Sequence, residues 1–152
     1  MSKNNESKEL YDLIRNLSKG VRKHGIKKVI RAIKEINIVS ESEKNYAVID
    51  YVEKLVCKRL GVPIEEIFAF TSRGEIAIAR KLCILLIRKN IEGISDDELG
   101  NHYNRSRQVI YNTEKEFKLL LDGKKNQFHI DFLSIFNDLD KETKEYIKEL
   151  NS

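Results

Sequence analysis

Residues 94–117, ISDDELGNHYNRSRQVIYNTEKEF, decide the predicted fold of this chain. Ser95 and Glu98 have the spacing of a capping box, in which the Ser hydroxyl and the Glu carboxylate satisfy backbone amides at a helix start. This pattern predicts a short helix over residues 96–103. Leu99 is its predicted inward residue, and the helix is too short to stand without a packed neighbour.

A tight turn and a longer amphipathic helix are predicted to follow. Asn104 is a typical turn residue, and we expect the second helix to begin near Arg105. A short capped helix, a polar turn and a longer amphipathic helix make up the helix-turn-helix arrangement. The inward positions predicted for the second helix are Val109, Ile110, Thr113, Phe117, Leu120 and Leu121.

Polar side chains on the opposite face of residues 105–115 suit contact with DNA bases. Arginine can bridge guanine O6 and N7, and glutamine or asparagine can bridge adenine N6 and N7. Positive charge at a helix start also opposes the helix dipole, so an anionic partner would explain it. The alternative is a solvated polar face. The predicted DNA-contacting residues of this helix are Arg105, Ser106, Arg107, Gln108, Asn112 and Lys115.

The rest of the chain predicts an all-α protein. There are only one proline and seven glycines, and apolar residues recur at helical spacing. We predict an N-terminal basic helical extension over residues 1–40, a helix-turn-helix domain over 45–137 and a charged helical tail over 138–152. Residues 37–44 are predicted to form a linker or turn between the first two.

Local signals between residues 48 and 90 divide the domain into further elements. A helix is predicted to end at Gly61, which favours a left-handed C-terminal cap, and a short helical turn follows Pro63. The next segment, 69–74, is a predicted loop that contains Thr71, Ser72 and Arg73. Residues 75–90 form the most apolar predicted helix, which should run through the centre of the domain.

Charge is distributed unevenly along a chain whose formal net charge is +4. Residues 1–40 carry ten Lys or Arg against four Asp or Glu, so the basic helices there suit phosphate contact, dimerisation or a solvated face. The two cysteines lie in apolar helical patterns and have no metal-ligand spacing. The polar start of the chain lacks a signal peptide, and these features predict a soluble, cytoplasmic protein without a cofactor or a metal site.

The stretch from about Tyr51 to Phe136 resembles the C-terminal DNA-binding domain of the bacterial replication initiator DnaA, in the Trp-repressor-like helix-turn-helix superfamily. The resemblance rests on residues 52–62 and 64–67, on Ser72-Arg73, on residues 76–82 and on residues 94–100. It implies that Arg73 reaches the minor groove or the phosphates. It also implies that Arg80 lies near the DNA backbone, with Lys81 beside it.

The chain departs from that family at the residues that read the DNA sequence. The family has Gly-Gly-Arg-Asp-His-Thr-Thr-Val before its recognition helix, whereas residues 104–109 here are Asn-Arg-Ser-Arg-Gln-Val. The fold can therefore carry over while the target sequence does not. The phosphate-binding motif Gly-x-x-x-x-Gly-Lys-Ser/Thr is missing from the sequence, so we expect no nucleotide as a partner and no initiator ATPase activity.

Two functions remain open from the sequence. The first is sequence-specific binding of double-stranded DNA, as a transcriptional regulator or as an accessory factor of a phage or mobile element. The second is a helical interaction or assembly protein with the same fold. An enzyme is not expected, because His24, His102 and His129 lie far apart without a matched nucleophile or metal spacing. The sequence leaves open whether the chain is a homo-oligomer, and no membrane partner is expected.

Overall fold

The computed structural model describes the backbone of residues 3–70 and 73–152, and their side chains except those of 3–6 and 36–40. All regular secondary structure in these ranges is helical, which confirms the all-α prediction. The elements are α1 (Lys3–His24), α2 (Ile26–Leu60), a short 3-10 helix (Ile64–Phe68), α3 (Gly74–Asn90), α4 (Asp96–His102), α5 (Arg107–Asp122) and α6 (Gln127–Asn151).

The chain divides into two compact units, Met1–Glu43 and Lys44–Ser152. The boundary falls inside α2, so the linker or turn predicted over residues 37–44 is wrong: the segment is helical. Its Ser and Asn residues have only modestly unfavourable helix propensities, its Glu and Lys residues favour a helix, and it contains no glycine or proline that would end one. The prediction was wrong because it rested on polar composition alone.

Helix α3 lies at the centre of the second unit, as its continuous apolar pattern predicts. Residues 82–87 are all buried, and α3 contacts the 3-10 helix, α5 and α6. The remaining buried apolar residues come from α2, the segment after it and the helices that follow. They include Val52, Val56, Ile67, Leu99, Tyr103, Ile110, Phe136 and Leu139.

Helix ends in the second unit follow the local signals in the sequence. Gly61 has a φ of 67°, and the amide of Val62 donates to the carbonyl oxygen of Cys57 at 3.0 Å, so the predicted left-handed cap is confirmed. Asn126 caps α6 by accepting from the amide of His129 at 2.9 Å. The Asn126 cap fixes the start of α6, the helix that packs against α3.

The C-terminal segment from residue 138 continues α6 and is part of the second unit. Tyr146 stacks on Tyr51 with ring centroids 4.0 Å apart. Asp140 lies buried and accepts from Lys89 at 2.8 Å, from Asn90 at 2.9 Å and from Lys144. Within the described helices, none is both long and apolar enough to cross a membrane.

Candidate nucleic-acid interface

Helix α4 begins where the capping box predicts. The Ser95 hydroxyl accepts from the amide of Glu98 at 3.1 Å. Gly100 then lets the following turn close tightly on the helix, because a Cβ at this position would lie 2.6 Å from the carbonyl oxygen of Arg105. In the same turn, the amide of Arg105 donates to the carbonyl oxygen of Gly100 at 2.8 Å. Gly100 is therefore a steric requirement of this turn.

The turn between α4 and α5 is attached to the chain before α3. Asn104 adopts a left-handed φ of 55°, as its turn prediction allows, and its side-chain amide donates to the carbonyl oxygen of Phe68 at 3.2 Å. The Arg105 guanidinium donates to the carbonyl oxygen of Ala69 at 2.9 Å. These contacts, 36 residues apart in sequence, fix the position from which α5 starts.

Helix α5 begins at Arg107, two residues later than predicted. Ser106 is its N-cap, and the Ser106 hydroxyl accepts from the amide of Val109 at 3.4 Å. Arg105 therefore lies in the turn, and Ser106 uses its side chain to cap the helix. Arg105 and Ser106, which were predicted to read bases, thus make hydrogen bonds within the protein. Arg107 is the first residue of the exposed face of the helix.

The exposed face of α5, defined by Arg107, Gln108, Tyr111, Asn112 and Lys115, is continuous over two helical turns. The side-chain amide of Gln108 donates to the Asn112 carbonyl oxygen at 3.0 Å, so the two amides are held as a pair. Tyr111, which the sequence analysis did not single out, is 51% exposed on this face. The i, i+3 and i, i+4 spacing from residue 108 would have placed it there.

Some positions predicted to face inward on α5 do not. Ile110 and Thr113 are buried and Phe117 is half-buried, but Val109 is 41% exposed and Leu121 is 49% exposed. The predicted apolar stripe was too wide, because α5 packs against α3 and α4 along a narrower contact. An apolar side chain at either edge of such a contact remains partly in water.

The family resemblance implies that Arg80 lies near the DNA backbone. Its side chain is buried on α3, and its guanidinium donates to the carbonyl oxygens of Ile67 at 2.7 Å and Ala69 at 2.9 Å. Burial, and then the nearby Arg105, lower the pKa of Arg80. Two of its five N–H donors bind these carbonyl oxygens, so we assign Arg80 to positioning the backbone at Ile67 and Ala69.

Two guanidinium groups thus meet at one carbonyl oxygen, that of Ala69. Beside them, Phe70 is 83% exposed, and the Arg105 guanidinium lies 5.7 Å from the centroid of its ring. Arg73, the exposed N-cap residue of α3, ends this loop. Thr71 and Ser72, which the sequence analysis placed in the same loop, lie outside the described residues.

The other predicted cationic residues lie on exposed surfaces. Lys115 is exposed on α5, and Lys81 forms an exposed ion pair with Glu116 at 3.5 Å. Lys81 therefore links α3 to the side of α5 next to the exposed face. An exposed pair of this kind contributes little to stability, so Lys81 can exchange Glu116 for another anion at small cost.

Arg88 joins three helices, α3, α4 and α5. Its guanidinium pairs with Asp96 of α4 at 3.0 Å and with Glu114 of α5 at 2.9 Å, and it donates to the carbonyl oxygen of Ile94. All three side chains are at least two-thirds buried. Periodicity within α3 does not reveal this role of Arg88, because both of its carboxylate partners come from later helices.

A buried polar group connects α4 to α2. Glu53 is 5% exposed, and its carboxylate lies 3.2 Å from Nε2 of His102, the last residue of α4. His102 is half-buried in this contact. Burial raises the pKa of Tyr103 and of Cys83 well above their ordinary values, so both stay neutral at physiological pH.

Comparison of the chain with protein-family models, with curated proteins and with solved structures finds no match.

Proposed function

We propose that this chain binds double-stranded DNA, with α4, the turn and α5 acting as a helix-turn-helix and α5 entering the major groove. The observation that carries the proposal is the exposed face of α5, on which Arg107, the paired amides of Gln108 and Asn112, and Lys115 lie together. These side-chain types read base edges and phosphates in the major groove. In the cell the chain would serve as a regulator or as an accessory factor of a phage or mobile element.

The paired amides suit the recognition of a base better than two independent side chains would. Because Gln108 donates to Asn112, each side chain loses rotamer freedom before any DNA arrives. The pair still presents an amide donor and a carbonyl acceptor, which is the pattern that adenine N7 and N6 require. Arg107, one residue before Gln108, suits a neighbouring guanine.

The loop before α3 supplies the second proposed contact. Arg105 ties this loop to the start of α5, so both would meet the same duplex. Arg73 lies at the end of the loop, where we propose that it contacts phosphates or the minor groove, as the resemblance to the DnaA domain implies. Phe70 extends the loop surface, and the positive groups behind it favour an anionic partner.

Binding-site selection from a randomised duplex pool tests the proposal, because it reports both affinity and sequence preference. We expect one enriched sequence, and we expect Arg107→Ala and Gln108→Ala each to lose about 1–3 kcal/mol of discrimination at one or two positions. Lys118→Ala is the matched control. It removes a cation from the same helix, but eleven residues on, roughly 16 Å from Arg107.

The control separates base reading from general attraction to phosphate. Lys118→Ala should leave the selected sequence unchanged, and the salt dependence of its binding should stay within about one unit of the wild-type slope. An unenriched pool, or identical preferences for the wild type and both α5 variants, would show that α5 does not read DNA. No mobility shift of a random duplex at low salt would favour the interaction-protein alternative.

A further inference from the structure

The described part of the first unit exposes apolar side chains. This unit consists of α1 and the part of α2 up to Glu43. Among its described side chains, over residues 7–35 and 41–43, none is buried. The exposed members are Leu10 (57%), Tyr11 (73%), Leu13 (56%), Ile14 (55%), Val21 (36%), Ile26 (60%), Ile30 (45%) and Ile33 (39%).

These residues lie on a helical hairpin. Gly25 has a φ of 84° and is the single residue between α1 and α2. Gly20 faces Val29, whose Cγ2 would lie 3.6 Å from a Cβ at position 20, so the two helices touch near the turn. A two-helix hairpin covers its apolar stripes only along that contact line. The remaining apolar surface, which we call the hairpin face, requires a further layer.

We propose that the hairpin face binds a second copy of this chain, so that two hairpins form a four-helix bundle. Two hairpins are the fewest identical copies that can cover the exposed apolar surface of both helices. In a two-fold dimer the same surface meets itself, so an apolar face that is complementary to its own copy requires no other partner. The inference is independent of DNA binding.

The amount of apolar surface matches what a stable dimer needs. The seven aliphatic members of the hairpin face are about half exposed, and a buried side chain of this size removes roughly 100 Å² from water. With Tyr11 included, the face presents roughly 500 Å² of apolar area. A standard interface buries about 800 Å² per partner, of which about three-fifths is apolar.

Charges along α1 favour an antiparallel pairing of two copies. Its described first half carries Lys8 beside Glu9 and Asp12, and its second half carries Arg15, Lys19, Arg22 and Lys23. In a two-fold arrangement that crosses near the middle of α1, the slightly acidic first half of one copy lies beside the strongly basic second half of the other. Opposite charges at the rim then select this orientation over the parallel one.

The mass of the full chain in solution, measured by sedimentation equilibrium from about 1 to 100 μM, tests this proposal. We expect twice the 17.7 kDa monomer mass at the upper concentrations. Ile14→Glu should weaken association at least about 100-fold, because the two-fold axis buries the new charge twice. Asn16→Glu adds the same charge on the polar side of α1, and it should change the dissociation constant by less than about threefold.

A second variant distinguishes loss of dimerisation from unfolding of the hairpin. Tyr11 is the most exposed member of the face, so Tyr11→Glu removes little contact within the chain. It should give monomers with wild-type helicity at 222 nm. A wild type that stays at the monomer mass at 100 μM, or dimers that persist in both variants, would overturn the proposal. So would a monomeric wild type that co-sediments with vesicles of phosphatidylserine and phosphatidylcholine, because the face would then bind lipid.

Discussion

Replacing Gly100 with alanine should destabilise the chain, although alanine is the better helix former. Inside a helix, glycine to alanine ordinarily stabilises by about 0.5–1 kcal/mol. At position 100, however, the new Cβ would lie 2.6 Å from the carbonyl oxygen of Arg105, while real Cβ contacts are essentially never closer than 3.0 Å. The steric clash and the helix propensity therefore predict opposite changes in the free energy of unfolding, so the sign of the measured change decides between them.

The size of the effect follows from what must move. The turn is held by the bond from the Arg105 amide to Gly100 and by the Arg105 guanidinium on Ala69, so relieving the clash strains both contacts. Overpacking of this kind costs about 1–3 kcal/mol. After subtraction of the gain in propensity, the net loss is up to about 2.5 kcal/mol, or up to roughly 10 °C in Tm for a unit of this size.

Thermal unfolding followed at 222 nm measures the effect, with Gly20→Ala as the matched control. Gly20 also lies inside a helix, but its added Cβ would meet only Val29 at 3.6 Å, an ordinary contact. We expect Gly20→Ala to leave Tm unchanged or to raise it. If Gly100→Ala were as stable as the wild type or more so, the close approach of the turn to α4 would be refuted.

Three further predictions concern single side chains. Burial alone would raise the pKa of Asp140. Hydrogen bonds from Lys144, Lys89 and Asn90 outweigh this effect, so the pKa of Asp140 lies below its usual 3.8. Asp140→Asn should therefore cost about 1–3 kcal/mol at pH 7 in urea unfolding, and the difference should shrink as the pH falls below about 3.8. Arg88→Met should lower the free energy of unfolding by about 1–3 kcal/mol in the same assay, because it leaves two largely buried carboxylates without their cation. A variant as stable as the wild type would contradict the ion pairs of Arg88 with Asp96 and Glu114. Phe70→Ala should weaken duplex binding by about 0.5–1 kcal/mol by releasing Arg105 from the ring, whereas Phe128→Ala, on the exposed start of α6, should not.

Local sequence signals predicted most of the helix boundaries, because caps and turns depend on neighbours within four residues. Gly61, Ser95 and Asn104 each adopt the predicted role. The predicted turn at residues 37–44 was wrong because polar residues are common in long exposed helices as well as in linkers. No sequence signal distinguishes these cases without knowing what the helix packs against.

The candidate site was harder to predict, because its arginines act over long sequence distances. Arg80 and Arg105 are 25 positions apart, yet both bind the carbonyl oxygen of Ala69. Helical periodicity describes which side of a helix a residue occupies, but it does not show that a guanidinium reaches a carbonyl in another segment. For the same reason Arg105 was expected at the start of α5, whereas the structure places it in the turn.

The carbonyl oxygen of Ala69 connects the turn before α5 with the segment before α3. A single backbone oxygen holds Arg80 from α3 and Arg105 from the turn, so the segment before α3 cannot move without disturbing the start of α5. Bringing two cations together is unfavourable, and the lowered pKa of Arg80, due first to burial and then to Arg105, is consistent with that cost. A phosphate at this surface would offset the repulsion, and the two guanidinium groups therefore favour the anionic partner that we propose.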